Sequence, residues 1–309
     1  MPFPVQDVTD WPVMHDEPGG ADKKAWIAPP GSEAQEGRSH WWLFKPVKYG
    51  KQPGQGGVEP VPYRRSEDRA EKIACELARL IGLPAADVDL ARRGRLEGVI
   101  SRNVAPPGWA LHHGDTMLSE FEGYVSCAND PKMRDRPGHN LANIRDLLDG
   151  LSGPPGGECQ NWPAFDVFAG HLVFDAWTAN TDRHALNWAM VTNGSQWRLA
   201  KSYDHGSSLA SGLTDDGIQH VLKAGVDVWC RRGTAGRFEG GRGLTLVDLA
   251  HQGLGLASPR ASKWIERLAT LEADDCGEIL NATPGLSDDA ARFAAMMLEE
   301  NRGRLCRGN

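Results

Sequence analysis

The chain has 309 residues, 40% of them apolar and 24% charged, the balance of a soluble globular protein long enough to bury one large core or two lobes. Its net charge of −7 excludes a broad electrostatic footprint for nucleic acid or an anionic membrane, while a local basic cleft stays compatible with it. The start Met1-Pro2-Phe3-Pro4 lacks the pattern of a signal peptide and no stretch approaches a membrane span, so a cytoplasmic location is expected.

In chain order, Gly19-Gly20-Ala21-Asp22-Lys23-Lys24 precedes a short apolar strand, Ala25-Trp26-Ile27. Glycines let backbone N–H groups approach an anion, so this segment is a candidate phosphate loop, with a plain turn as the alternative. Gly31 to Gly37 and Gly50 to Pro62 read as Gly/Pro-rich loops flanking an apolar strand, Trp41-Trp42-Leu43-Phe44, that ends at Lys45. Lys45 is either a protective edge charge or a fixed cation for phosphate. Ser66 reads as the N-cap of a helix to about Ile81, with Ala70, Ile73, Ala74, Leu77, Leu80 and Ile81 as its apolar stripe. A buried lysine needs a carboxylate partner, and Glu67 and Glu71 both flank that stripe; Glu76 and Arg79 point away from it, toward solvent. Val99-Ile100-Ser101 is a short strand, and Ser101 is taken as a nucleotide-binding position. From Ala105 to Gly157 the chain is loop-rich, with a helix only near His139 to Leu151. His112-His113-x-Asp115 reads as solvated loop, because nothing completes a tetrahedral metal set.

Phe165, Phe168, Ala169, Leu172, Val173 and Ala176 recur at helical spacing, predicting a buried helix that delivers the segment Asn180-Thr181-Asp182-Arg183-His184-Ala185-Leu186-Asn187. Trp188 to Thr192 and Gln196 to Ala200 then read as strands joined at Asn193-Gly194, a hairpin signal. Such a hairpin brings Asn187 and Asp204, the latter in Asp204-His205-Gly206, to the same end. Phosphoryl transfer needs a carboxylate that positions the attacking hydroxyl and oxygen ligands that hold Mg²⁺ on the phosphates. Asp182 suits the first task, Asn187 and Asp204 the second. Arg183 is expected to anchor the loop by pairing with a carboxylate. Beyond Leu213 the chain reads as mostly helical, ending in a helix capped by Ser287. The six cysteines are scattered without Cys-x-x-Cys spacing, which fits reduced thiols.

Asn-x-Asp-Arg-His-x-x-Asn followed by Tyr-Asp-His-Gly resembles the catalytic segment of HipA-like kinases, bacterial serine/threonine kinases with an atypical protein-kinase fold. The resemblance extends from about Pro18 to Leu305. It implies a bilobal α+β fold, with a small β-rich N-lobe over 1–103 and a larger, mostly helical C-lobe over 104–309. Leu43-Phe44-Lys45 matches the family's phosphate-lysine strand. Ala70-Glu71-Lys72-Ile73-Ala74 is similar to its helix-C segment, with Glu71 at the ion-pair position. The resemblance implies ATP and Mg²⁺ as cofactors and a serine or threonine of a protein as acceptor. His184 takes either a phosphate contact or a loop-bracing role. No serine lies between Gly19 and Lys24, so the family's autophosphorylation switch in that loop is not implied. An antitoxin-like partner is compatible with the resemblance but not implied by it. A small-molecule or lipid kinase is the first rival reading, and a non-catalytic nucleotide-binding scaffold the second.

Overall fold

The computed structural model describes residues 1–16, 24–32, 35, 37–52, 59–128 and 130–307. Six strands build the main sheet: β1 (Val5–Asp7), β2 (Val13–Asp16), β3 (Ala25–Ile27), β4 (Trp42–Pro46), β7 (Val88–Arg93) and β8 (Leu96–Arg102). Their order is β1-β7-β8-β4-β3-β2. The β1–β7 pair is parallel and the other pairs are antiparallel. Strands β5 (Tyr49–Gln52) and β6 (Val61–Arg64) pair as a separate ribbon. This corrects the expectation of a plain loop from Gly50 to Pro62 at its two ends, Gly50 to Gln52 and Val61 to Pro62, where alternation is too weak to read as a strand; residues 53–58 lie outside the described residues.

Period-two alternation gives the main sheet two different faces. Phe44 and Ile100 pack with Val8, Ile27 and Ala91 on one. Val88, Leu90 and Val99 pack against Cys75 on the other, which is the face covered by helix α1 (Glu67–Leu80). Lys45 lies opposite Val99 in the β4–β8 register and Leu43 opposite Ser101, so both pairs share the α1 face. The register is tight. A Cβ on Gly98 would stand 2.1 Å from the Lys45 carbonyl oxygen, so only glycine lets β8 pass there. Ser66 occupies the N-cap position of α1 but makes no side-chain capping hydrogen bond. Glu76 does not simply face water; it pairs with Lys72 and Arg79 at 2.7 Å each.

A three-stranded sheet joins β9 (Ala110–His113), β10 (Ala189–Thr192) and β11 (Trp197–Leu199) in the order β11-β10-β9. The β10–β11 loop is longer than a two-residue turn. Thr192 pairs with Trp197, and the Asn193 side-chain oxygen accepts the Ser195 and Gln196 amides at 3.1 and 2.9 Å. Strand β9 falls inside a stretch read as loop, and it carries His112 and His113. The remaining helices are α2 (Gly114–Leu118), α3 (Leu141–Leu148), α4 (Ala164–Thr178), α5 (Asp215–Ala224), α6 (Val226–Cys230), α7 (Leu246–Leu256), α8 (Lys263–Ala269), α9 (Ala273–Asn281) and α10 (Asp288–Arg307). Every residue of α4 is buried. It is apolar almost all round, as a central helix must be, and α7 and α10 pack against it. Among the described residues no helix is long and apolar enough to cross a membrane.

The β-rich and helical parts are joined beside the cleft at Ser202. Its backbone donates to the Pro84 carbonyl at 2.9 Å and accepts from the Ala86 amide at 2.8 Å, just beyond the end of α1.

Candidate active site

Lys45, Glu71, Asp182 and Asp204 come from four separate elements and line one cavity of about 510 Å³, a size typical of ligand pockets. The Lys45 Nζ donates to Glu71 Oε1 at 2.7 Å and to Asp204 Oδ1 at 2.8 Å. Glu67, the competing partner, instead pairs with Lys48 at 2.9 Å and Arg65 at 2.8 Å. Burial opposes the charge on Lys45, but Asp204 and Glu71 outweigh it and hold the ammonium above its ordinary value. Burial pushes the Glu71 carboxyl up to about 7, with Lys45 pulling it down and Asp204 pushing it further up. Burial also works against the Asp204 carboxylate, yet the Lys45 and Lys24 ammonium groups hold it well below the usual range. The Asp204 side chain keeps 36% of its surface exposed, so an ionised carboxylate faces the cleft.

The backbone at Asp204 is in the left-handed region, φ 60°, uncommon for a non-glycine residue and typical of functional turns. Gly206 lets this turn lie against α1, since a Cβ there would meet Glu71 Oε1 at 3.2 Å.

The Asp182 loop leaves α4 through Ala179, which is left-handed at φ 56°. A buried ion pair fixes the loop. Arg183 donates through Nε and Nη2 to both Asp175 oxygens at 2.7 Å. The same guanidinium reaches the Asn187 carbonyl at 2.6 Å, the Tyr203 carbonyl at 3.4 Å and Ser202 Oγ at 3.1 Å. It therefore ties the backbone at Asn187 to that next to Asp204. The Asn180 side-chain oxygen accepts the Asp182 amide at 3.1 Å, while its nitrogen donates to Asp175 at 2.8 Å. The Asn187 Nδ2 donates to the Asp182 carbonyl at 2.8 Å, which points its amide oxygen away as a neutral ligand atom. An ionised carboxylate and an amide oxygen form a hard donor set that fits Mg²⁺.

His184 Nδ1 accepts the Leu186 amide at 3.3 Å, a bracing contact that leaves the ring proton on Nε2. Burial holds the His184 imidazole below its ordinary value, against the pull of Asp182 and Asp204. A neutral ring can donate one hydrogen bond but brings no charge to a phosphate. His184, Asn187 and Ser101 stand outside the cavity lining. Ser101 is buried one pleat beyond Val99, on the Lys45 face of the sheet. Gly19, Gly20 and Ala21 lie outside the described residues. Lys24, at the end of the candidate phosphate loop, lines the cavity.

Sequence reading missed three participants. Arg237 donates through Nε to Asp182 Oδ1 at 2.7 Å. His139 is fully buried, accepts from Trp188 Nε1 at 3.2 Å and meets the Arg237 carbonyl at 3.0 Å. Both belong to loops distant in sequence and carry no local signal. Asp175 did carry one: a carboxylate near the end of a mostly apolar, fully buried helix requires a partner.

The family model described as the HipA-like C-terminal domain matches residues 17–274. A search of the curated proteins finds no match. Among solved structures, the Helicobacter pylori proinflammatory kinase CtkA is similar with a TM-score of 0.67 and 16% identity, covering 98% of this chain and 96% of that one. Hydra Fam20, solved with sugar, is similar with a TM-score of 0.51 and 13% identity over 97% of this chain and 86% of that one. Shewanella oneidensis HipA, in its complex with HipB and operator DNA, gives a TM-score of 0.49 at 15% identity, over 96% of this chain and 66% of that one. The fold is kinase-like, with a β-rich part and a helical part, and the chain belongs to the HipA-like C-terminal domain family.

Proposed function

We propose that this protein is an ATP- and Mg²⁺-dependent kinase that transfers the γ-phosphoryl group to a serine or threonine hydroxyl of a protein. The observation that carries this reading is the Lys45 ammonium bridging Glu71 and Asp204 at 2.7 and 2.8 Å, in one cavity with Asp182. Such a bridge keeps a cation where phosphate oxygens arrive. We assign the phosphates to Lys45, with Lys24 beside them, and the placement of Lys45 to Glu71. Asn187 and Asp204 would hold Mg²⁺, which supplies charge neutralisation on the phosphates when bound. Asp182 orients the acceptor hydroxyl and takes its proton; the hydroxyl oxygen bonds to the γ-phosphorus as the bond to the bridging oxygen of ADP breaks. His184 braces the loop through Leu186, with Nε2–H as the remaining donor. We place the boundary between the lobes near residue 103.

Incubation with labelled ATP, Mg²⁺ and a lysate, read by mass spectrometry, tests the proposal. Phosphoserine or phosphothreonine that disappears in Asp182→Asn supports it. Label found only on small molecules or lipids moves the assignment to those acceptors, and nucleotide binding without transfer under any condition removes the kinase reading.

A further inference from the structure

A second cavity, of about 370 Å³, opens beside Asp182. It shares Arg65, Thr181, Ser207 and Arg232 with the first cavity. Ser207 marks the join, since its Oγ stands 3.4 Å from Asp182 Oδ2, the carboxylate oxygen that Arg237 leaves to the cleft. Away from that join the walls are largely apolar, with Leu213, Trp229, Leu246 and Val247 among them. A site that must place a hydroxyl on Asp182 while the nucleotide fills the first cavity has this second space for the rest of the acceptor.

Cations without an ion-pair partner gather around the join. Arg232 lines both cavities, Lys132 and Arg134 line the first on the Arg237 side, and all three are exposed. None of the three makes an ion pair among the described residues; Arg134 donates only to Thr234 Oγ1, at 3.1 Å. Arg65 also lines both cavities and pairs with Glu67 at 2.8 Å. These cations gather at one rim of a chain whose net charge is −7. A cationic rim repels amine-bearing acceptors and attracts carboxylates.

We infer that the second cavity is the acceptor subsite, and that it takes an acidic polypeptide segment. An apolar side chain beside the phosphorylated residue would enter the space between Leu213, Trp229 and Leu246, and flanking Asp or Glu side chains would meet Arg232 on that side and Lys132 and Arg134 on the other. An extended chain suits the layout because the apolar walls and the Lys132–Arg134 cations lie on different sides of Asp182. The inference rests on the kinase reading and deepens it by naming the acceptor chemistry.

Serine and threonine peptides carrying Asp, Lys or Ala, and Leu or Gly, at each position around the acceptor are the test, with glycerol 3-phosphate as a small anionic acceptor. Each protein is scored by its own ratio of acidic to basic peptides, which loss of folded material cannot change. Wild type is expected to favour acidic peptides by about tenfold or more, the equivalent of about 1.4 kcal/mol. Arg232→Glu, at an exposed position, is expected to remove or invert that ratio. Trp229→Ala is expected to erase the Leu-over-Gly preference and keep the acidic one. A flat ratio in wild type, a ratio untouched by Arg232→Glu, or transfer to glycerol 3-phosphate alone overturns the inference. If lysate proteins are phosphorylated while the peptide ratio is flat, the kinase reading stands and only the subsite falls. No transfer to any acceptor with nucleotide bound removes both.

Discussion

The Arg237 guanidinium holds Asp182: Nε and Nη2 both lie 2.7 Å from Oδ1, and backbone carbonyls of Lys132 and Met133 fix the guanidinium in turn. One carboxylate oxygen is thereby oriented and the other left to the cleft. Asp182→Asn is expected to lower the transfer rate by about 10²–10⁴-fold while nucleotide affinity stays within a few-fold, because the carboxylate acts on the acceptor. Arg237→Gln is expected to lower kcat by about 10- to 100-fold, the worth of a charge-assisted hydrogen bond, with little change in nucleotide affinity. Single-turnover rates and ADP titrations check both. An unchanged rate in Asp182→Asn removes this residue from the mechanism, and an unchanged rate in Arg237→Gln reduces the ion pair to a packing contact.

Lys45 and Glu71 form one unit, so their substitutions should not multiply. Lys45→Ala is expected to cost about 10²–10³-fold in kcat/KM, and Lys45→Ala/Glu71→Ala little more. Glu67→Ala is the control, since Glu67 is engaged with Lys48 and Arg65. A double-mutant cycle reads the coupling, and independent, multiplicative losses would break the proposed pair.

Asp204→Ala should damage Mg²⁺-dependent nucleotide binding more than Asn187→Ala, because only Asp204 brings a full charge and charged contacts are about twice as strong as neutral ones. Titration of a non-hydrolysable ATP analogue with and without Mg²⁺ measures this. An unchanged Mg²⁺ dependence in Asp204→Ala would dissolve the two-ligand site.

Acid should destabilise the fold through buried imidazoles. Burial pushes His139 down to about 4 from an ordinary 6.5, and lowers His171 and His205 well below it for the same reason. A lowered folded-state value means the unfolded chain binds the proton first, so stability is lost as the pH falls below about 6.5. His139 alone accounts for about 2 kcal/mol between pH 7 and pH 5. Glu71, raised to about 7 by burial, works in the opposite sense, so the comparison of interest is wild type against His139→Gln. Urea denaturation at the two pH values is expected to show a shallower pH dependence in the variant. Equal slopes would mean that His139 does not titrate as its burial requires.

The helical spacing from Phe165 to Ala176 was enough to place α4, and the order of polar residues from Asn180 to Asp204 was enough to nominate the site. Strand β4 and helix α1 were legible for the same reason, since each has a clear apolar face. The β5–β6 ribbon and β9 were not, because half-exposed strands with glycine and proline carry little alternation. Helical spacing alone could not choose between Glu67 and Glu71, which lie one turn apart; the resemblance pointed to Glu71, and the Lys45 amine meets Glu71 at 2.7 Å. The hairpin was foreseen with too short a turn, because the Asn193 side chain closes a longer one. Arg237 was invisible, since a contact 55 residues away along the chain leaves no local pattern.

Ser202 has a mechanical consequence. It is bonded to Pro84 and Ala86 on the sheet side and, through its hydroxyl, to Arg183 on the helical side. The sheet and the helical part are therefore pinned to each other two residues from Asp204, so a shift of one against the other would displace the proposed Mg²⁺ carboxylate less than a residue remote from that pin.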